Sequence, residues 1–347
     1  MSTPIQQGIA LHGPTGTTGI GYGLINLGNA VKKLGRPCTV SGQKAGWADP
    51  FYHVVVDQPA FIERCPWNAL VPTFELPLRN DEKKALVLPS PKHRMFCLNS
   101  FIKEEIMKVN PDMPETCFPL VQQGSSSELF MGLKRRLRTI GMAGKYEPRK
   151  GYDQFFELLP KIKYDTAYAL ATSPLHNSQE IQEIQAVCDR TGVQLLPWEA
   201  SQEGVMAFLA TIHVFVTSST AEGWNLLLSE ALAQGCIVVA SDIHAHRRQY
   251  ELLKEAIGEE AASYRLRLVK TEPAPIVGHD RWYPGVYYVG KKWLHCQMPE
   301  LIQTAKDALK DDPPVVFTGK DFPLSWTNAA KRLIECVDEA VNQNRKN

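Results

Sequence analysis

Between Val214-Phe215-Val216 and Ile237-Val238-Val239-Ala240 runs the stretch Thr220-Ala221-Glu222-Gly223-Trp224-Asn225-Leu226-Leu227-Leu228-Ser229-Glu230-Ala231-Leu232-Ala233-Gln234-Gly235. Two short apolar runs bracket an acidic turn and an amphipathic helix. That is the strand–helix–strand unit of a parallel sheet. Glu222 falls on the turn, and Glu230 follows eight residues later on the helix. A turn glutamate, a glycine and a helix start together make a pocket floor suited to a polar, partly anionic ligand.

The same rhythm extends to either side. Upstream, Thr139-Ile140-Gly141-Met142-Ala143 reads as a strand, followed by the turn Gly144-Lys145-Tyr146-Glu147-Pro148-Arg149-Lys150-Gly151 and a helix from Tyr152 to about Ile162. Strands at Tyr168–Ala171 and Val193–Leu196 alternate with helices at Gln179–Arg190 and Gln202–Ala210. Downstream, helices are predicted from Met298 to about Leu309 and from near Ser325. The second carries an apolar stripe of Trp326, Ala329, Ala330, Leu333, Ile334 and Val337.

The first half opens with a strand at Gly8–Leu11 and a glycine-rich loop, Gly13 to Gly23. A helix with Leu24, Leu27, Ala30, Val31 and Leu34 on one face follows, stopped by Gly35, and then a strand at Cys38–Val40. Further strands are expected at Val54–Asp57, Val71–Glu75 and Phe96–Asn99, with Ser100 capping a helix through Val109. The polar run Gln122 to Ser127 is the best linker candidate. The expected architecture is therefore α/β, with two Rossmann-like doubly wound domains facing each other across a cleft. Residues 1–124 form the first, 125–138 a linker and 139–324 the second, and the helix 325–347 returns toward the first.

Composition fits a globular chain: 347 residues, 44% hydrophobic, 22% charged, net charge +1. No global field recruits nucleic acid or an anionic membrane. The local clusters Lys134-Arg135-Arg136 with Arg138, and Lys92-His93-Arg94, leave such a partner possible but not favoured. Eight cysteines lie scattered without a C-x-x-C pair, which fits buried reduced thiols. With no leader-like or 18-residue apolar run, a cytoplasmic protein is expected.

The glycine loop carries Gly19-x-Gly21-x-Gly23, not G-x-G-x-x-G, and the second strand ends in Ser41 and Gln43 rather than a carboxylate. Both points count against a dinucleotide site, and no lysine follows to make a P-loop. What remains is an amide-rich loop at a helix start, suited to an anion, or a tight turn for close packing. The turn after the Thr139 strand holds Lys145, Arg149 and Lys150, three cations that can trap phosphate at a helix N-terminus. The bland alternative is a solvated turn with Lys150 pairing Glu147. Ionised carboxylates such as Glu222 and Glu230 accept from paired hydroxyls, as on a sugar or a ribose.

Taken in order, these segments resemble glycosyltransferase family 4, retaining nucleotide-sugar enzymes of the GT-B fold. Gly144 to Gly151 is similar to that family's G-R-x-x-x-x-K-G segment, and Glu222 through Glu230-Ala231 to its E-x7-E motif. Ser241-Asp242-Ile243, the glycine loop, Asn99-Ser100-Phe101 and Trp326 also fit, so the likeness spans nearly the whole chain. The resemblance implies that Lys145 and Lys150 neutralise the donor diphosphate. Glu222, with the amides of Gly223, Trp224, Asn225 and Leu226, would hold the sugar, and Glu230 the ribose. Gly19 and Gly21 would admit loop amides to the phosphate or sugar, and Leu196 to Trp198 would cradle the base. Lys150, Glu222 and, on the acceptor side, Glu75 are the catalytic candidates. No metal and no cofactor beyond a UDP- or GDP-sugar are implied.

Three features depart from the family pattern. Lys145 stands where arginine is usual, which forfeits bidentate phosphate contact. Asn225 stands where glycine is usual. The first-domain histidine common in the family has no clear counterpart, and His12, His53 and His93 read as structural or surface residues. The expected activity is transfer of a sugar, with retention, to a hydroxyl on a glycan, lipid, metabolite, protein or modified nucleic-acid base. The rivals are a non-catalytic nucleotide- or sugar-binding protein of the same fold and a phosphorylase-type enzyme. Residues 264–288, including Arg281-Trp282-Tyr283, match no motif.

Overall fold

The computed structural model describes residues 7–13, 19–42, 51–57, 68–73, 83–84, 86–125, 137–172, 178–196, 201–275, 292–314, 316–317 and 322–346. The chain divides into two compact units, one of Met1–Ser125 with Leu324–Asn347, the other of Ser126–Pro323.

The first unit is built on β1 (Ile9–His12), β2 (Cys38–Ser41), β3 (Tyr52–Asp57), β4 (Ala69–Pro72) and β5 (Arg94–Met95). All are parallel, in the order β2-β1-β3-β4-β5. The helix Gly19–Lys33 lies so close to β2 that a Cβ on Gly28 would sit 2.2 Å from Val40 Cγ2. The last helix, Trp326–Lys346, belongs to this unit. Arg36 pairs with Asp338 at 2.7 Å, and Arg332 donates to the Leu120 carbonyl at 3.0 Å.

Two local expectations need correction. Asn99, not Ser100, caps the helix Ser100–Val109, because its side-chain oxygen accepts from the Ile102 amide at 2.9 Å. The Phe96–Asn99 run is not a strand: pairing there is reduced to β5 and a single bridge from Cys97 to Leu120.

The second unit carries β6 (Thr139–Gly144), β7 (Thr166–Ala171), β8 (Val193–Leu196), β9 (Val214–Thr217), β10 (Ile237–Ser241) and β11 (Leu266–Val269). This sheet is also all parallel, in the order β11-β10-β9-β6-β7-β8. Every residue of β6, β9 and β10 is buried, which explains why those segments read as continuous apolar runs rather than alternating ones. The helix expected from Tyr152 to Ile162 ends at Leu158. It passes into a 3-10 turn, Leu159–Lys161, where Pro160 cannot continue the α ladder. Part of the unmatched 264–288 segment forms β12 (Thr271–Pro275), antiparallel to β13 (Lys292–Cys296). Arg281-Trp282-Tyr283 lies outside the described residues. The seven described cysteines are buried and unpaired. The expected α/β architecture, two Rossmann-like parallel sheets, is thus present.

Candidate functional site

The strand order of the second unit decides where a ligand can sit. From β6 the chain builds outward through β7 to β8, then returns to the other side of β6 with β9 and builds outward through β10 to β11. The β6–β9 pair, with Ile140 beside Val214 and Gly141 beside Phe215, is where the order reverses. Loops leaving the carboxyl ends of two such strands diverge and open a crevice. Those loops are the cation turn after Gly144 and the acidic turn after Thr217.

The two turns are joined to each other. Gly151 has φ +74°, and a Cβ there would meet the Ser218 carbonyl oxygen at 2.3 Å, so only glycine fits. Ser218 Oγ donates to the Gly151 carbonyl at 2.8 Å, and the Thr220 amide donates to the Arg149 carbonyl at 2.8 Å.

Their charges alternate along a chain of contacts. Lys145 Nζ lies 3.5 Å from Glu147 Oε2, and Glu147 Oε1 accepts from Arg149 at 2.7 Å. Arg149 also donates to Glu222 Oε2 at 2.9 Å and to the Ala221 carbonyl at 2.7 Å. Lys150 Nζ completes the series on Glu222 Oε1 at 2.5 Å. Three cations and two carboxylates leave a net charge of +1. Burial by itself would raise the Glu222 carboxyl, but Lys150 and Arg149 outweigh it and hold the group ionised, below the usual carboxylate range.

This arrangement corrects two sequence readings. Arg149 is not a phosphate-facing cation, because its guanidinium is buried between Glu147 and Glu222. Nor does Lys150 pair with Glu147, since that role falls to Arg149.

Asn225 adopts a left-handed conformation, φ 78°, the backbone state that a glycine there would reach without strain. Its side chain caps the helix Leu226–Ala233 by accepting from the Leu228 amide at 3.3 Å. Its Nδ2 donates to Thr217 Oγ1 at 3.0 Å and to His246 Nε2 at 2.8 Å. His246 Nδ1 lies 2.8 Å from the Ser241 carbonyl, so the proton belongs on Nδ1 and Nε2 is left to accept. Burial pushes this imidazole down to about 4, which keeps it neutral. Gln249 holds the same corner by donating to the Trp224 and Asn225 carbonyls.

Glu230 lies one helical layer away, 3% exposed. Gln202 Nε2 donates to its Oε1 at 2.7 Å. Burial, only partly offset by that bond, raises the carboxyl to about 7.

The structure therefore brings Lys145, Lys150, Glu222, Gly223, Asn225, Leu226 and Glu230 onto the two turns and the helix they lead into. Trp224 is 3% exposed with its indole packed inward, so only its backbone can face a ligand. Gly19 and Gly21 begin the first helix of the other unit. Glu75 and Trp198 lie outside the described residues. Sequence reasoning missed Gln202, Thr217 and His246. Each acts on a partner 8 to 28 positions away, and none belongs to a spaced motif.

Residues 137–261 match the family "Glycosyl transferases group 1". That segment is a glycosyltransferase domain, and it contains both turns, Glu230, Gln202 and His246. No curated protein matches the chain in sequence. Among solved structures, the lipopolysaccharide outer core galactosyltransferase WaaB superposes with a TM-score of 0.61 at 12% identity, over 96% of this chain and 99% of its own. Sucrose-phosphate synthase from Thermosynechococcus elongatus gives 0.59 at 13% identity, over 97% and 100%. Anabaena HepE, solved with UDP-glucose, gives 0.58 at 11% identity, over 97% and 99%. At these identities the likeness is one of fold, the GT-B fold of glycosyltransferases. Among the described residues, no helix is long and apolar enough to cross a membrane.

Proposed function

We propose that the protein is a retaining, family 4-type glycosyltransferase that moves a sugar from a nucleoside diphosphate sugar to an acceptor hydroxyl, without a metal at the diphosphate. The observation that carries this is the Lys150–Glu222 pair at the switch point of a glycosyltransferase group 1 domain, with Lys145 beside it. Lys150 would exchange its bond to Glu222 for the diphosphate, with Lys145 adding charge from a more exposed position. Arg149 would remain on Glu222 and keep the carboxylate ionised when Lys150 leaves it. Glu222, with the amides of Gly223 through Leu226, would then hold the sugar hydroxyls, and Glu230 the ribose. The side chain and backbone of Trp198 belong to the same reading on the base side, as do Gly19 and Gly21 on the phosphate side and Glu75 on the acceptor side.

The chemistry would be a front-face displacement. The bond from the anomeric carbon to the diphosphate oxygen breaks, the acceptor oxygen bonds to the same face, and its proton passes to the departing diphosphate. Stabilising that leaving group is the main electrostatic task. HepE was solved with UDP-glucose, which favours a uridine nucleotide as the first probe. Seven buried free thiols fit the reducing cytoplasm. Calorimetry with UDP and GDP, followed by release of sugar from a panel of nucleotide sugars, tests the reading. Failure of every nucleoside diphosphate to bind would sink it. Proton NMR of the first glycoside formed reports retention directly.

A further inference from the structure

Glu230 is a carboxylate in an apolar place, with one neutral partner. It lies on the helix Leu226–Ala233, which has no other ionisable side chain. Of the elements packed around it, β9 and β10 bring none, and the helix Gln202–Thr211 brings only Glu203. The charged groups of the acidic turn are engaged with one another. Glu199, just ahead of Gln202, lies outside the described residues.

The single side chain bonded to Glu230 among the described residues is Gln202, which starts the helix that follows β8. The helix start that carries Gln202 is capped, because Ser201 Oγ accepts from the Gly204 amide at 3.0 Å. One oxygen of Glu230 is occupied. The other, Oε2, has no hydrogen bond among the described residues. A carboxylate gripped on one oxygen keeps a single orientation and leaves its second oxygen for a ligand.

We propose that Gln202 is a positioning and specificity residue of the nucleotide site: by holding Glu230 Oε1, it presents Oε2, as an ionised acceptor, to the ribose hydroxyl pair. This rests on the functional reading above. The amide does two separable things. It fixes the rotamer, and it favours the charged form that accepts from hydroxyls over the protonated form that competes with them as a donor.

Calorimetric titration of UDP and 2′-deoxyuridine diphosphate into the full-length protein, at pH 5.5, 7 and 8.5, tests the proposal. Wild type should bind UDP more weakly as pH falls through the carboxyl's own range, by up to about tenfold per pH unit below it. The deoxy nucleotide, lacking one hydroxyl of the pair, should bind more weakly at high pH and show little of that dependence. Gln202→Leu should move the UDP transition to higher pH, and Gln202→Lys should move it to lower pH. A purely structural role for Gln202 would lower affinity at all three pH values for both nucleotides. That outcome, or an unchanged transition in both variants, would overturn the proposal while leaving nucleotide binding intact. If neither UDP nor GDP binds wild type at any pH, the functional reading fails and this proposal fails with it. If Gln202→Leu does not fold, the lysine variant and the deoxy nucleotide still decide between these outcomes.

Discussion

Glu222 and Glu230 lie eight residues apart and are 8% and 3% exposed, yet their surroundings are opposite. The turn acid has a cation on each oxygen, and the helix acid has one neutral amide on one oxygen. Burial pushes both carboxyls up, and only at Glu222 does counter-charge reverse the push. Equal burial therefore yields two different groups: a fixed anion and an acid poised near neutrality. In the proposed reaction the first would stay charged while Lys150 leaves it, and the second would accept from hydroxyls.

The sharpest way to break this contrast is Arg149→Met. It strips one cation from two buried carboxylates at once, and removing one partner of a buried ion pair costs about 3–5 kcal/mol. Urea unfolding at pH 7 should show that loss, and a midpoint equal to wild type would mean that Arg149 does not hold Glu222.

Next in size is Glu230→Gln. The folded carboxyl sits at about 7, above its unfolded value, so its protonated form stabilises the fold at low pH. That stability is present below the unfolded value and is lost as pH rises toward 7, by about 3 kcal/mol in all. The glutamine variant should therefore be more stable than wild type at pH 8, equal to it at pH 4, and weaker in nucleotide affinity. Glu222 has the opposite sign: it contributes above its unfolded value and loses that contribution as pH falls.

Lys150→Met should weaken nucleoside diphosphate binding by roughly 10- to 100-fold, the value of a charged hydrogen bond of about 1.5–3 kcal/mol. Binding of the parent nucleoside should change far less, and calorimetry with UDP and uridine reads the difference. The smallest effect belongs to Asn225→Gly. It relieves a left-handed asparagine but loses the bonds to Thr217, His246 and the Leu228 amide, for a net loss of about 1 kcal/mol. If the two acids are independent, the Glu230 carbon resonance should titrate unchanged in that variant.

The sheets and the two turns were legible because they follow local rules. Apolar runs such as Val214–Thr217 are buried on both faces, and Gly151 marks a turn that admits no side chain. The spacing of Glu222 and Glu230 could also be read directly. Pairing across the crevice could not. Arg149 and Lys150 are adjacent in sequence and carry the same charge, and only the fold turns one toward Glu147 and both toward Glu222. Gln202 reaches Glu230 from 28 positions away, with a side chain that gives no signal in isolation. The Asn225 position looked like a lost glycine. It keeps the glycine's backbone and adds a cap, a combination that depends on the distant His246 being neutral and able to accept.

The bonds from Ser218 to Gly151 and from Thr220 to Arg149 have a mechanical consequence. The loop that carries the lysines and the loop that carries the acid cannot shift past each other without breaking both. A ligand pulling on Lys150 drags the acidic loop with it, and neither can act as a flap for the other. This edge of the sheet is therefore one stiff ledge rather than two separate loops.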